Sequence, residues 1–103
     1  MRRVVAFMAV FTMAATGAAA TTPGKFAGSN LLPLAKVTLK QARATALAAR
    51  PGKITDQELE KERGGTGLRY SFDIKSRGKT FEVGVDAGTG KVLENAAEGR
   101  NSD

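Results

Sequence analysis

Four carboxylates at alternate positions form the densest group of side chains in this sequence that could do chemistry. They are Asp56, Glu58, Glu60 and Glu62. Carboxylate oxygens are the ligands that hard cations such as calcium prefer. On an extended strand, however, alternate residues lie about 6.6 Å apart, too far to converge on one ion unaided. The pattern therefore favours a charged strand face that discourages aggregation or meets basic residues such as Lys75 and Lys79, with cation binding as the alternative.

The residues that most often carry catalysis are missing from this chain. It has no histidine and no cysteine, which removes the usual general base, the thiol nucleophile and the common zinc ligands. A Ser–Lys pair would need Ser71, Ser76 or Lys79, but these fall at strand-surface and turn positions. Thr89-Gly90-Lys91 lacks the spacing of a phosphate-binding loop and is typical of a β-turn. We therefore expect no enzymatic activity and no cofactor, and we assign no residue as a metal ligand.

The N-terminus has the composition of a secretory signal. Met1-Arg2-Arg3 is positively charged, an uncharged and mostly apolar run follows, and Ala18-Ala19-Ala20 supplies small residues before a cleavage point. This pattern predicts a signal peptide over residues 1–20, cleaved between Ala20 and Thr21, and a periplasmic or secreted protein. A retained membrane anchor is the alternative, but the apolar run is short for a membrane span.

Charge and composition limit the classes of partner. The formal net charge of +6 falls to +4 once the two arginines of the signal peptide are removed. The excess is spread along the chain, and no basic run is interleaved with aromatic residues, so nucleic acid is not an expected partner. Without cysteines the domain must rely on its core, and a domain of this size typically has only about 3–5 kcal/mol of stability.

A helix is predicted after a linker segment. Residues 21–36 contain Gly, Pro, Ser and Asn and lack hydrophobic periodicity, so we interpret them as a linker whose leucines pack loosely. The run Thr38-Leu39-Lys40-Gln41 then fits a capping box, in which Thr38 and Gln41 satisfy each other's backbone N–H groups. A narrow, alanine-rich apolar face follows at helical spacing and suits close packing on a sheet. Pro51-Gly52 ends the helix because proline cannot continue the hydrogen-bond ladder.

Residues 53–63 admit two interpretations. Ile54 is an even-numbered residue, like the four alternating carboxylates, whereas Leu59 is odd-numbered. The two apolar residues would lie on opposite faces of a regular strand, so we predict a strand with a bulge or with pairing that begins partway. A second helix is the alternative, since residues 57–63 are good helix formers. The position of the segment between Pro51-Gly52 and a glycine-rich turn favours the strand.

Strict alternation of large apolar residues predicts a β-hairpin. Its apolar members are Leu68, Tyr70, Phe72, Ile74, Phe81, Val83 and Val85. A two-residue loop at Arg77-Gly78 would place Asp73 opposite Glu82, an unfavourable pair, and Arg69 opposite Asp86, a favourable one. A three-residue loop with Gly78 left-handed is equally compatible, because arginine is a poor first residue for a type I′ turn. The apolar side chains form the core under the helix, so recognition must use the opposite face of the hairpin or a sheet edge.

The C-terminal region predicts one more short strand. Ala87-Gly88-Thr89-Gly90 is typical of a tight turn, and residues 91–94 follow as a strand that contributes Val92 and Leu93 to the core. The polar residues 96–103 are expected to form a flexible tail.

These elements in this order resemble the PepSY domain family. The resemblance spans Val37 to Leu93 and rests on Ala46-Leu47-Ala48-Ala49-Arg50-Pro51-Gly52-Lys53, on the Tyr70/Phe72 strand and on Val83-Gly84-Val85-Asp86-Ala87-Gly88-Thr89-Gly90-Lys91-Val92. It implies an α+β fold, with one N-terminal helix packed on a small antiparallel sheet of three to four strands, over residues 37–95. It also implies a link to secreted metallopeptidases, in whose propeptides such domains inhibit and assist folding, and it transfers no catalytic residue. This chain would be a free-standing version.

The sequence therefore favours an exported, non-catalytic protein-binding module that inhibits or regulates a secreted or periplasmic peptidase. The expected partner is a protein, with no membrane association after signal removal, and the oligomeric state is left open. The residues expected to contact the partner are Asp56, Glu58, Glu60, Glu62, Arg69, Asp73 and Lys75. Two alternatives remain: an envelope protein that binds or senses a small ligand or metal ion, and a structural, self-associating protein.

Overall fold

The computed structural model describes residues 25–99, which form one α-helix and a four-stranded sheet. The elements are a 3-10 helix at Ser29–Leu34, α1 at Leu39–Ala49, β1 at Lys53–Lys61, β2 at Leu68–Ser76, β3 at Lys79–Asp86 and β4 at Val92–Ala97. All neighbouring strands pair antiparallel, in the order β1-β2-β3-β4. α1 packs on the inner face of the sheet, where Tyr70 and Phe72 lie. The outer face, where Ser71 and Asp73 lie, is the side of the sheet away from α1. The α+β prediction is confirmed, with four strands.

The capping box fixes where α1 begins. The Gln41 backbone N–H donates to Thr38 Oγ1 at 3.0 Å, and the Thr38 backbone N–H donates to Gln41 Oε1 at 2.9 Å. Leu39, Ala42 and Ala46 are the buried residues of the helix. The two alanines have almost no side chain to separate the helix from the sheet, so the helix lies close on the inner face.

A bulge in β1 explains the mixed parity of its sequence. Ile54 pairs with Ile74 and Asp56 pairs with Asp73, so Thr55 is an extra residue without a partner of its own. The extra residue reverses the alternation, which brings Ile54 and Leu59 to the same inner face. The strand prediction for this segment is confirmed, and the alternative of a second helix is wrong.

The predicted register of the hairpin is confirmed. Ile74 pairs with Phe81, and the loop is the two-residue turn at Arg77-Gly78, in which both residues have positive φ, of 54° and 79°. Six of the seven alternating apolar residues are buried, and Phe81 is partly exposed. Tyr70 is buried as predicted for a core residue, and its hydroxyl donates to the Val37 carbonyl at 2.7 Å.

β4 differs from its prediction in length, and it contains a register shift that was not predicted. It runs to Ala97, three residues beyond the expected end, so the first residues assigned to the flexible tail belong to the sheet. Gly84 pairs with Glu94 and Val85 pairs with Val92, which makes Leu93 an extra residue. Val92 is 41% exposed although it lies opposite the buried Val85, so its predicted place in the core is wrong.

Residues 25–36, predicted to be a linker, pack along β1. The Leu59 backbone N–H donates to the Ala27 carbonyl at 2.9 Å, and Ala27 forms a parallel bridge with Glu58. Gly28, at φ +86°, passes so close that a Cβ there would lie 1.7 Å from the Leu59 carbonyl oxygen. Leu31 and Leu32 pack against the core, whereas Leu34 is exposed.

The predicted signal peptide and its cleavage point between Ala20 and Thr21 lie outside the described residues. Over residues 25–99, no helix is both long enough and apolar enough to cross a membrane.

Candidate functional site: the outer face of the sheet

The outer face gathers most of the residues predicted to contact a partner. Asp56, Glu58 and Glu60 lie there on β1, opposite Asp73, Ser71 and Arg69 of β2, and Lys75 follows at the end of β2. Glu62 is not among them, because β1 ends at Lys61 and Glu62 is exposed in the following loop.

Further carboxylates reach the outer face from β3 and β4. Glu82 lies opposite Asp73, as the predicted register required. Glu94 and Glu98 were missed, because β4 was expected to end at Glu94 and residues 96–103 to be a flexible tail. The outer-face carboxylates are therefore Asp56, Glu58, Glu60, Asp73, Glu82, Glu94 and Glu98.

Asp73 and Glu82 are a like-charge pair directly opposite one another in this register. The Glu98 backbone N–H donates to the Thr80 carbonyl at 2.8 Å, so the backbone groups of Thr80 point towards β4. Because successive residues of a strand point their backbone groups to opposite sides, those of Glu82, two residues later, also point towards β4. Asp73 and Glu82 therefore occupy a non-hydrogen-bonded position, where Cα atoms lie about 4.5 Å apart and the side chains approach most closely. Like charges directly opposite one another in a sheet are destabilising.

Burial and the charges of neighbouring carboxylates raise the pKa values of Glu82 and Asp73. Burial, followed by the charges of Glu94, Asp73, Glu98 and Glu60, raises the pKa of Glu82. Burial, followed by the charges of Glu98 and Asp56, raises the pKa of Asp73.

Glu58 shows the largest of these shifts. A hydrogen bond with the Glu60 carboxyl group, burial and the charges of Glu60, Asp56 and Glu82 raise the pKa of Glu58 to about 7. Glu60 also accepts a hydrogen bond from the Ser71 hydroxyl at 2.8 Å. Strongly perturbed carboxyl groups that lie together on a surface are candidates for a functional site.

Arg69 is the cation that reaches into this group of carboxylates. Its Nη1 lies 3.5 Å from Glu94 Oε1, which is the one ion pair within residues 25–99, and its Nη2 donates to the Arg63 carbonyl at 3.0 Å. The side chain crosses β3 over Gly84, where a Cβ would lie 2.9 Å from Arg69 Cδ. The predicted pairing of Arg69 with Asp86 holds in the register of the strands, but no ion pair forms between the two side chains.

Asp86 instead ties two loops together. It is fully buried, and it accepts hydrogen bonds from the backbone N–H groups of Thr66, Gly88 and Thr89 at 2.8, 3.2 and 2.8 Å. The hydroxyls of Thr66 and Thr89 add further bonds, at 3.0 and 2.9 Å. Burial alone would raise the pKa of Asp86, but the bonds from Thr66 and Thr89 outweigh burial and hold that pKa below its ordinary value. Asp86 is therefore structural, although a threonine three residues after an aspartate in a turn could have signalled this contact.

The outer face does not have the geometry of a metal centre. Across residues 25–99, no group of three or more Asp, Glu, His or Cys side chains is placed to hold a metal ion. The outer-face carboxylates thus share a surface without converging on one point.

The family follows from a sequence comparison that agrees with this architecture. The family described as "PepSY: Peptidase propeptide and YPEB domain" matches residues 36–95. The chain belongs to the PepSY family. The PepSY match spans α1 and strands β1 to β3 and ends within β4. No curated protein and no solved structure matches the chain.

The two edges of the PepSY sheet are not equivalent. Ala27 bridges Glu58 and so occupies part of the outer edge of β1. Within residues 25–99, β4 pairs with β3 alone, so its other edge is open. The Glu98 backbone N–H points to β3, and successive residues of a strand point their backbone groups to opposite sides. The backbone groups of Asn95 and Ala97 therefore point towards the open edge.

Proposed function

We propose that this chain is an exported, non-catalytic protein-binding module that inhibits or regulates a secreted or periplasmic peptidase. The family is described by its occurrence in peptidase propeptides, and its domains are generally non-catalytic. The charged start, apolar run and alanine cluster of residues 1–20 support export. The expected partner is a protein that docks on the outer face.

The observation that carries this proposal is the electrostatic state of the outer face. Seven carboxylates share the face with one ion pair, and the pKa values of Glu58, Asp73 and Glu82 are raised. A partner surface rich in Lys or Arg would lower these pKa values and so gain binding energy from charges that repel one another in the free protein. Such complementarity also speeds association.

The open edge of β4 supplies a second means of recognition. An extended segment of the partner can add to β4 as a fifth strand, with main-chain hydrogen bonds giving affinity. Glu94 and Glu98 lie at this edge and would flank the incoming strand.

The test measures inhibition of exported peptidases by the protein recovered from the envelope or the medium. Peptidases that co-purify with it are identified by mass spectrometry, and the inhibition constant of the wild-type protein is compared with that of Glu58→Gln/Glu82→Gln. Loss of two charges from the contact should weaken inhibition about tenfold. Glu62→Gln is the control for loss of a carboxylate outside the outer face, because Glu62 lies beyond β1, and it should leave inhibition unchanged.

Two results would overturn the proposal. One is the absence of inhibition for every exported peptidase that co-purifies, and the other is equal inhibition by the double variant and the wild-type protein. For the edge, Ala97→Pro removes an outward N–H and should weaken inhibition, whereas Ala97→Ser keeps that N–H and should not.

Export is tested separately by sequencing the N-terminus of the recovered protein. Cleavage after Ala20 gives a chain that begins at Thr21. Recovery of the intact N-terminus from the cytoplasm alone would contradict this part of the proposal.

A further inference from the structure

A basic cleft lies at the end of the sheet where α1 stops. Its volume is about 440 Å³, which is in the range of small-molecule sites. The lining residues are Arg50, Pro51, Ser76, Arg77, Lys79 and Phe81. Three of the six carry a positive charge and none carries a negative one. The basic cleft is therefore a separate site from the outer face, with the opposite charge.

Arg50 is held in place within the basic cleft. Its guanidinium group lies over the Phe81 ring, 3.8 Å from the centroid, and its Nε donates to Asn95 Oδ1 at 3.1 Å. Asn95 in turn donates to the Ala49 carbonyl at 3.3 Å, which ties the group to the end of α1. Within residues 25–99, the two Nη groups of Arg50 have no hydrogen-bond partner. A fixed planar guanidinium with free Nη groups suits an oxyanion, which it can bind with two parallel hydrogen bonds.

Arg77 occupies a backbone conformation that disfavours arginine. Its φ of 54° makes it the one non-glycine residue with positive φ among residues 25–99. Asparagine or glycine fits this first position of a type I′ turn at lower cost. Strained backbone of this kind often occurs at functional sites, and the Arg77 side chain is an exposed cation that lines the basic cleft.

Lys79 and Ser76 complete the set of donors. They pair with each other across the hairpin end, and both lie on the side of the strands that carries Phe81. The Ser76 hydroxyl and the Lys79 ammonium group provide donors beside the Arg50 and Arg77 guanidinium groups. Three cations match the charge of about −1.5 to −2 that a phosphate monoester carries at pH 7.

We infer that the basic cleft binds a phosphate group, presented either by a small phosphorylated molecule or by a lipid headgroup. The Nη groups of Arg50 hold two phosphate oxygens, and Arg77 and Lys79 close on the remaining charge from the hairpin turn. The Phe81 ring supports the Arg50 guanidinium group from the opposite side.

The test titrates the protein recovered from the envelope or the medium with inorganic phosphate at constant ionic strength, and calorimetry follows the binding. Arg77→Asn is the informative variant, because asparagine suits the turn and should raise the melting temperature while it removes one cation. Phosphate affinity should fall about tenfold in this variant, the effect of about 1.4 kcal/mol of charge-assisted binding. Arg63→Asn is the matched control, since Arg63 is exposed in the β1–β2 loop outside the basic cleft.

Vesicles distinguish the two sources of phosphate. Binding of wild-type protein to phosphatidic acid vesicles, whose headgroup is a phosphate monoester, but not to phosphatidylcholine vesicles, identifies a lipid headgroup if Arg77→Asn abolishes it and inorganic phosphate binds weakly. Measurable binding of inorganic phosphate that depends on Arg77 identifies a small ligand. The inference is overturned if neither probe binds, or if Arg63→Asn weakens binding as much as Arg77→Asn, since the attraction would then be the general charge of the protein.

Discussion

Glu82 and Asp86 lie four residues apart on β3 and share one parity of the strand, yet the structure treats their charges in opposite ways. Asp86 is fully buried, and hydrogen bonds from Thr66 and Thr89 hold its pKa below the ordinary value. Glu82 is half-buried, and burial together with four neighbouring carboxylates raises its pKa. Asp86 therefore stabilises the fold, whereas Glu82 remains in a repulsion that an outside cation can relieve.

The largest effect on stability is expected from a substitution of Asp86. Asp86→Asn places an amide NH2 among backbone N–H donors and should lower the free energy of unfolding by about 3 kcal/mol. A small disulfide-free domain has only about 3–5 kcal/mol, so much of the variant should be unfolded at 25 °C. Urea unfolding followed by circular dichroism measures the difference.

Asp73→Asn is the matched control, because it makes the same substitution on the outer face. Loss of the Asp73 charge removes its repulsion with Glu98 and Asp56, so the free energy of unfolding should be unchanged or slightly higher. A loss of less than about 1 kcal/mol in Asp86→Asn, or equal losses in both variants, would contradict a structural role for Asp86 alone.

A smaller effect with the opposite sign is expected on the Glu82 side. Glu82→Gln removes a charge directly opposite Asp73 and should raise the free energy of unfolding by up to about 1 kcal/mol. Glu62→Gln, in the loop after β1, should stay within about 0.5 kcal/mol of the wild-type protein. Destabilisation by Glu82→Gln in the same urea experiment would show that the charge is satisfied in the free protein.

The smallest effect is a dependence of stability on pH, because solvent screens the charges around the partly exposed Glu58 side chain. The pKa of Glu58 is raised to about 7 in the folded protein, so the folded state binds more protons than the unfolded state between about pH 4.5 and pH 7. This stabilisation is complete below that window and is lost as the pH rises through 7. The charged groups that face Glu58 are Glu60 and Asp56 on β1 and Glu82 on β3, while Ser71 of β2 is neutral.

The melting temperature should therefore rise when the pH falls from 8 to 5, and Glu58→Gln should remove most of this rise. Asp86 acts in the opposite direction, because its pKa is lowered in the folded protein. The stability that the ionised Asp86 contributes is lost only as the pH falls below the ordinary pKa of aspartate. A melting temperature that is flat between pH 5 and 8 in the wild-type protein would argue against repulsion at Glu58.

Local patterns predicted the fold well wherever one element decided the outcome. The Thr38/Gln41 capping box, the Pro51-Gly52 stop and the alternation of the hairpin all depend on residues close in sequence, and the structure confirms each of them. The end of β4 was predicted less well, because pairing with β3 extends a polar segment that has no strand pattern of its own. Val92 lies opposite the buried Val85 and is nevertheless exposed, which no local signal in the sequence shows.

The site was predictable in part, for the same physical reason. Alternation placed Glu58, Asp73 and Glu82 on one side of their strands, and the register put Asp73 opposite Glu82. The role of Asp86 depends on the arrival of Thr66 from a loop twenty residues earlier, which a strand pattern cannot show. The hairpin register paired Arg69 with Asp86, but Gly84 opens a path across β3 that leads Arg69 to Glu94 instead.

The most direct test of this comparison is an NMR titration of the side-chain carboxyl carbons of Glu58, Glu82 and Asp86 in the free protein. The structure predicts a midpoint near pH 7 for Glu58, a midpoint above the ordinary glutamate value for Glu82 and one below the ordinary aspartate value for Asp86. Ordinary midpoints for Glu58 and Glu82 would contradict the account, because the outer face would then carry no unsatisfied charge for a partner to relieve.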